Sequence, residues 1–157
     1  MSMDKIRFYA NVTKTELPFI RIEEGAFEGM ILLVDTGSND NILFGHFYNQ
    51  AKEKFQPMEG CRDTYGIEGT IRQRNMVSGI VSFCGTEYEM QFTVQENDDC
   101  AILLSKEMGF PVFGILGTNF MAEHGWIIDF GKQEITISLP ISALVFKRLS
   151  EAKHRAS

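Results

Sequence analysis

The sequence predicts an all-β fold, a sandwich or a barrel built from short strands. Three observations carry this reading. Apolar residues recur at every second position in several stretches, turn residues separate those stretches closely, and segments with helical spacing are few. The clearest stretch is Thr86 to Val94, where Tyr88, Met90, Phe92 and Val94 point one way and Thr86, Glu87, Glu89, Gln91 and Thr93 fill the polar positions. Such alternation is the pattern of a half-buried, antiparallel strand.

Taken in chain order, Phe19 to Glu23, Phe27 to Val34, Ile80 to Phe83, Trp126 to Phe130 and Glu134 to Leu139 also read as strands. Glu24-Gly25, Cys84-Gly85-Thr86 and Phe130-Gly131-Lys132 mark turns between them. Gly45 to Phe55 predicts a short helix with Phe47, Ala51 and Phe55 on one side. A second helix is expected over Thr118 to His124, capped by Thr118 and stopped by Gly125. After Pro140, the residues Ile141, Leu144, Val145, Leu149 and Ala152 fall at helical spacing and predict a C-terminal helix. Glu96 to Val112 carries no clear period, and Asn97-Asp98-Asp99 marks a loop there. No repeat or low-complexity linker divides the chain, so residues 1–157 are expected to form one domain, with a core that needs no disulfide.

Composition narrows the function classes. The balance of 15 basic to 21 acidic residues, net charge -6, argues against nucleic acid or an anionic membrane as partner. No apolar run reaches about 18 residues, the length that spans a bilayer. The first residues, interrupted by Asp4 and Glu16, do not read as a signal peptide. A cytoplasmic location is therefore expected; a periplasmic or exported one would require a leader already removed. Cys61, Cys84 and Cys100 are scattered, with no Cys-x-x-Cys pair and no nearby His, so packed, reduced thiols are expected and no metal site. Phosphate-loop, Gly-x-Ser-x-Gly and His-Glu-x-x-His motifs are absent, and His46, His124 and His154 lie far apart in sequence. His124 falls at an expected helix end, an ordinary place for it.

One stretch remains with chemical content: ILLVDTGSNDNILF, from Ile31 to Phe44. An apolar strand delivers Asp35 at its end, and Gly37 lets the backbone turn sharply behind it. Thr36 and Ser38 place hydroxyls near the carboxylate, where they can fix its orientation. Asp, Gly, Ser and Asn are also the ordinary residues of surface turns. Average composition yields a given Asp-Thr-Gly by chance in about one chain of this length in thirty, so the tripeptide alone leaves both readings open. Downstream, GILGTNFMAEHGWIIDFGKQEITI (Gly114 to Ile137) reads as an apolar strand ending at Gly117, then a short helix and a strand pair.

Together the two stretches resemble the retropepsin-like aspartic proteases, the single-lobe acid proteases of retroviruses and their cellular and bacterial relatives. In that family an apolar strand runs into Asp-Thr-Gly-Ser or Asp-Thr-Gly-Ala, matched by Ile31 to Ser38. A later apolar-apolar-Gly strand and short helix are matched by Ile115, Leu116 and Gly117 followed by Thr118 to Glu123. Between them the family has a flap hairpin, for which YGIEGTIRQRNMVSG is the candidate, with Tyr65, Gly66, Ile67, Glu68 and Gly69 at the tip. The resemblance covers about Pro18 to Leu139. It implies a closed, barrel-like acid protease lobe with Asp35 as catalytic residue, Thr36, Gly37 and Ser38 supporting the loop, and Ile115, Leu116 and Gly117 as floor strand.

Glu96 to Phe113 is longer and more acidic than the family pattern, and the C-terminal helix has no viral counterpart. Family chemistry needs two carboxylates sharing one proton, because close like charges hold one group as base and the other as acid. The chain holds a single Asp-Thr-Gly; Asp129-Phe130-Gly131 lacks the hydroxyl and reads as a turn. An active enzyme is therefore expected to be a homodimer with Asp35 from each subunit at the twofold axis. Thr36 would brace that axis, and an extended peptide or protein substrate would lie beneath the flaps, with no cofactor. The alternatives are a dimeric peptide-binding relative that does not cut, and an unrelated small-ligand β-barrel in which Asp35 is a turn residue.

Overall fold

The computed structural model describes residues 3–10, 12–65, 71–96 and 99–138. The expected C-terminal helix and the flap tip at Gly66, Ile67, Glu68 and Gly69 lie outside the described residues. In chain order the elements are β1 (Met3–Arg7), α1 (Val12–Thr15), β2 (Phe19–Arg21), β3 (Ile31–Val34), β4 (Ile42–Phe44) and α2 (Gly45–Gln50). A 3₁₀ turn at Lys52–Lys54 precedes the long strands β5 (Gln56–Tyr65), β6 (Ile71–Phe83) and β7 (Thr86–Gln95). Then come α3 (Asp99–Met108), β8 (Gly114–Leu116), α4 (Thr118–Glu123), β9 (Ile127–Asp129) and β10 (Glu134–Ser138).

The strands form two sheets, one ordered β1-β10-β9 and a larger one ordered β2-β3-β8-β4-β7-β6-β5. Among the described residues neither closes on itself by hydrogen bonding, which corrects the expectation of a closed barrel. The lobe closes by packing instead. Ile6, Ile135 and Ile137 from the small sheet, and Phe8 just after β1, join Ile20, Leu32, Val34, Leu43, Phe92 and Leu116 from the large one in a single buried cluster. The physical reason is that, among the described residues, β5 pairs only with β6 in a long hairpin, which leaves the far edge of the large sheet without a described neighbour to close onto.

Most expected elements form. Cys84 (φ 52°) and Gly85 (φ 78°) make the two-residue turn between β6 and β7, with Phe83 opposite Thr86. The strand expected from Phe27 starts only at Ile31, because Phe27 to Met30 form a turn through Gly29, whose φ is 92°. The expected helix over Gly45 to Phe55 is broken into α2 and the 3₁₀ turn. Glu96 to Val112, unreadable by period, contains α3.

That helix explains why Ile31-Leu32-Leu33-Val34 is a continuous apolar run rather than an alternating one. Leu32 and Val34 face the main core. Ile31 and Leu33 face the other side with Phe19, Ile42, Phe44 and Ile115, where Ala101, Leu104 and Met108 of α3 cover them. A strand covered on both faces needs no polar positions. The Ser105 hydroxyl ties α3 back to the sheet, donating to Ala101 O (2.9 Å) and accepting from Val112 N (3.0 Å).

The centre of the large sheet has an unusual thread. β3 leaves at Asp35, and the chain loops out and returns as β4, but β3 and β4 do not pair with each other. β8 lies between them, parallel to β3 (Leu32↔Gly114, Val34↔Leu116) and antiparallel to β4 (Ile42↔Ile115). The fit is tight enough that a Cβ on Gly114 would collide with the Ile42 carbonyl. A Gly114→Ala variant is expected to lose at least about 2 kcal/mol of stability. Urea unfolding followed by the fluorescence of Trp126, the single and buried tryptophan, measures this.

Candidate active site

Asp35 continues the line of β3 by one hydrogen bond, its N–H donating to Leu116 O on β8 (3.1 Å). The backbone then turns, Ser38 N donating to Asp35 O (3.2 Å), and the Gly37 N–H donates to Asp35 Oδ1 (2.8 Å). This corrects the expected role of the hydroxyls. Ser38 Oγ donates to Asp40 O (2.8 Å), away from the carboxylate, so a backbone amide orients Asp35 instead. Gly37 serves because a Cβ there would stand 3.1 Å from Asp35 Oδ1. The carboxylate is partly exposed, and Oδ2 has no hydrogen-bond partner among the described residues.

A second segment holds the loop in place. At the end of β8 the chain turns into α4, and its polar groups converge on the Asp35 loop. Thr118 N donates to Ser38 O (2.7 Å), Asn119 N to Asn39 O (3.0 Å) and Thr118 Oγ1 to Thr36 O (2.8 Å). Thr118 is the first residue of α4 rather than its cap, which is Gly117. Its hydroxyl therefore serves the Asp35 loop instead of the helix's own amides. Gly117 can sit there only without a side chain, since a Cβ would collide with the Asp40 carbonyl. The stop is as expected: Gly125 adopts φ 66°, beyond a C-cap at His124 whose ring packs on Phe120 and Tyr88.

The structure thus brings together Asp35, Thr36, Gly37 and Ser38 with Leu116 and Gly117, while Ile115 points to the opposite face. There Leu33, Ile42 and Ile115 form a half-buried apolar patch beside α3. Tyr65 ends β5, and the remaining tip residues are outside the described ones. Asn41 was missed by sequence reasoning. It is buried, its Oδ1 accepts from Gly117 N (2.9 Å) and its Nδ2 donates to Gln91 O (3.1 Å) on β7. A polar residue wedged between the loop and the apolar run Ile42-Leu43-Phe44 was the available signal.

A solved retropepsin-like aspartic protease from Rickettsia conorii shares this architecture, with a TM-score of 0.51 at 14% identity, covering 87% of this chain and 90% of that one. The chain has the retropepsin-like fold. The retroviral protease-like domain of Ddi1 from Leishmania major is also similar, with a TM-score of 0.47 at 13% identity over 86% of this chain and 90% of that domain. No family model and no curated protein matches the sequence. The retropepsin-like fold leaves no place for the unrelated small-ligand barrel.

Cys84, the cysteine whose side chain is among the described ones, is poorly placed for nucleophilic chemistry. Cys84 sits in the β6–β7 turn, its Sγ 3.8 Å from Lys5 O. Burial pushes its thiol pKa up, and the carboxylates of Asp4 and Glu24 push it further the same way. The thiolate, the reactive form, is therefore scarcer near neutral pH than in a free cysteine. In native protein at pH 8, Cys84 is expected to react with iodoacetamide several-fold more slowly than in urea-unfolded protein, as peptide-resolved mass spectrometry would measure.

Proposed function

We propose that the protein is an aspartic endopeptidase that hydrolyses peptide bonds with a water held between two Asp35 carboxylates, one from each subunit of a homodimer. The observation that supports this best is the setting of Asp35. Its carboxylate stands at a strand end, one oxygen held by Gly37 N–H and the other without a partner among the described residues, on a loop clamped by the β8–α4 corner. A surface turn has no need of such bracing, whereas a catalytic group must keep a fixed aim.

The chain has one Asp-Thr-Gly, so the second carboxylate comes from a second copy. Two carboxylates in contact cannot both ionise readily, and the pair retains one proton. The ionised member accepts a proton from the water as its oxygen attacks the scissile carbonyl carbon. The protonated member donates to the developing oxyanion and, on collapse, the proton passes to the leaving nitrogen. Thr36 is exposed, and its hydroxyl has no hydrogen-bond partner among the described residues, which leaves it to brace the partner loop.

The part of Leu33, Ile42 and Ile115 that α3 leaves uncovered offers the substrate an apolar floor. An extended peptide adds a strand between that floor and the β5–β6 flap, whose closure excludes water. Single-domain organisation of residues 1–157 belongs to the same proposal.

The experiment is cleavage of an unstructured protein by wild type and Asp35→Asn, each first shown to sediment as a dimer. Asp35→Asn keeps the shape of the side chain and is expected to lower kcat at least about a thousandfold. Cleavage by that variant at the wild-type rate would overturn the reading. Wild-type activity is expected to lean to acid pH, because the pair must keep its shared proton, and to be blocked by a pepstatin-like inhibitor. Alkaline activity sensitive to thiol reagents would point to a cysteine instead.

A further inference from the structure

We propose that Asn41 is a positioning residue for the Asp35 loop, acting through Gly117; the proposal rests on the protease reading above. Asn41 closes the loop that Asp35 opens, and it is one of few buried polar side chains among the described residues. Its side chain bridges β7 and the β8–α4 corner. Oδ1 accepts from Gly117 N at the β8–α4 corner, and Nδ2 donates to Gln91 O on β7. Its backbone carbonyl accepts from Thr93 N (2.9 Å), fixing the residue to β7 a second time.

The neighbours of Gly117 make this bridge matter. On one side Leu116 O accepts from Asp35 N, and on the other Thr118 Oγ1 donates to Thr36 O. Gly117 is thus the link between two residues that each grip the Asp-Thr-Gly segment. Its own N–H is buried, and Asn41 Oδ1 is the partner that satisfies it. Removing that acceptor strands a buried donor, which the corner can relieve only by moving. Movement of the corner carries Asp35 with it. In a dimer the two carboxylates must meet across the axis, where a misplacement of about 1 Å can lower the rate on the order of a hundredfold. The side-chain bonds of Asn41 go to Gly117 N and Gln91 O and not to the Asp35 carboxylate, so its effect falls on kcat rather than on substrate affinity.

The test compares Asn41→Leu, similar in size but unable to bond, with Asn41→Asp. A neutral carboxyl at this position can accept from Gly117 N and donate to Gln91 O, as the amide does; an ionised one cannot donate. Burial favours its neutral form, as do Asp35 and Asp40 on the same loop, Glu89 on β7 and Glu123 on α4, of which Asp40, Glu89 and Glu123 line one pocket with Asn41. Asn41→Leu is expected to lower kcat on the order of a hundredfold, with KM changed less than about threefold and the dimer retained. Asn41→Asp is expected to approach wild type in acid and to fall behind it as pH rises. Wild-type kcat in Asn41→Leu, or an equal loss in both variants at every pH, overturns the proposal.

Hydrogen–deuterium exchange decides the matter without activity. Asn41→Leu is expected to lose about tenfold in amide protection over residues 35–41 and 117–119 while the β6–β7 hairpin keeps its own, and unchanged protection overturns the proposal. If wild type cuts nothing, the protease reading fails, and this exchange result still stands for or against Asn41.

Discussion

The insertion of β8 between β3 and β4 is the constraint on which the rest of the structure depends. Two strands joined by a short loop are kept apart by a strand that arrives much later in the chain, and backbone must pass close to backbone at both ends of the insertion. Gly114 meets the Ile42 carbonyl at one end and Gly117 meets the Asp40 carbonyl at the other. Only residues without a Cβ permit that approach. Once β8 is seated, Asp35 N finds Leu116 O, and the β8–α4 corner lies within hydrogen-bond reach of the whole Asp35 loop.

This arrangement ties packing to chemistry. Leu32, Val34, Leu43 and Leu116 anchor the three central strands in the main core, while Leu33, Ile42 and Ile115 leave an apolar surface on the opposite face. α3 seals much of that second face and leaves Ile102 and Leu103 exposed, 45% and 58%, on its own outer side. The length of Glu96 to Phe113 therefore has a structural use, since the helix covers strand residues that would otherwise face water. The loop bearing Asp35 is held from both sides. The amides of Thr118 and Asn119 and the Thr118 hydroxyl bond its carbonyls from outside, while the Gly37 amide and the Asn41 side chain act from within.

Much of this was legible from one sequence. Alternation located β7, the β9–β10 hairpin and the end of β6, and Asp35 with its glycine was read as a strand end presenting a carboxylate. The short helix after Gly117 was legible too, although its first residue was misjudged: Thr118 is a common capping type, but its hydroxyl bonds Thr36 O across space. Ser38 was misjudged for the same reason, its hydroxyl choosing a backbone carbonyl over the nearby carboxylate. α3 escaped notice because Ile102 and Leu103 blur its apolar face, and β4 because three residues are too few to show a period.

The sequence by itself determined the class of fold and the strand that ends in Asp35, because these depend on local patterns. The tertiary structure alone decided which groups orient Asp35, why Gly114 and Gly117 must be glycine, and which groups Asn41 bonds. Those facts arise where segments distant in sequence meet at van der Waals range. A pattern of residue types along one chain carries no record of which backbone amide will face which oxygen.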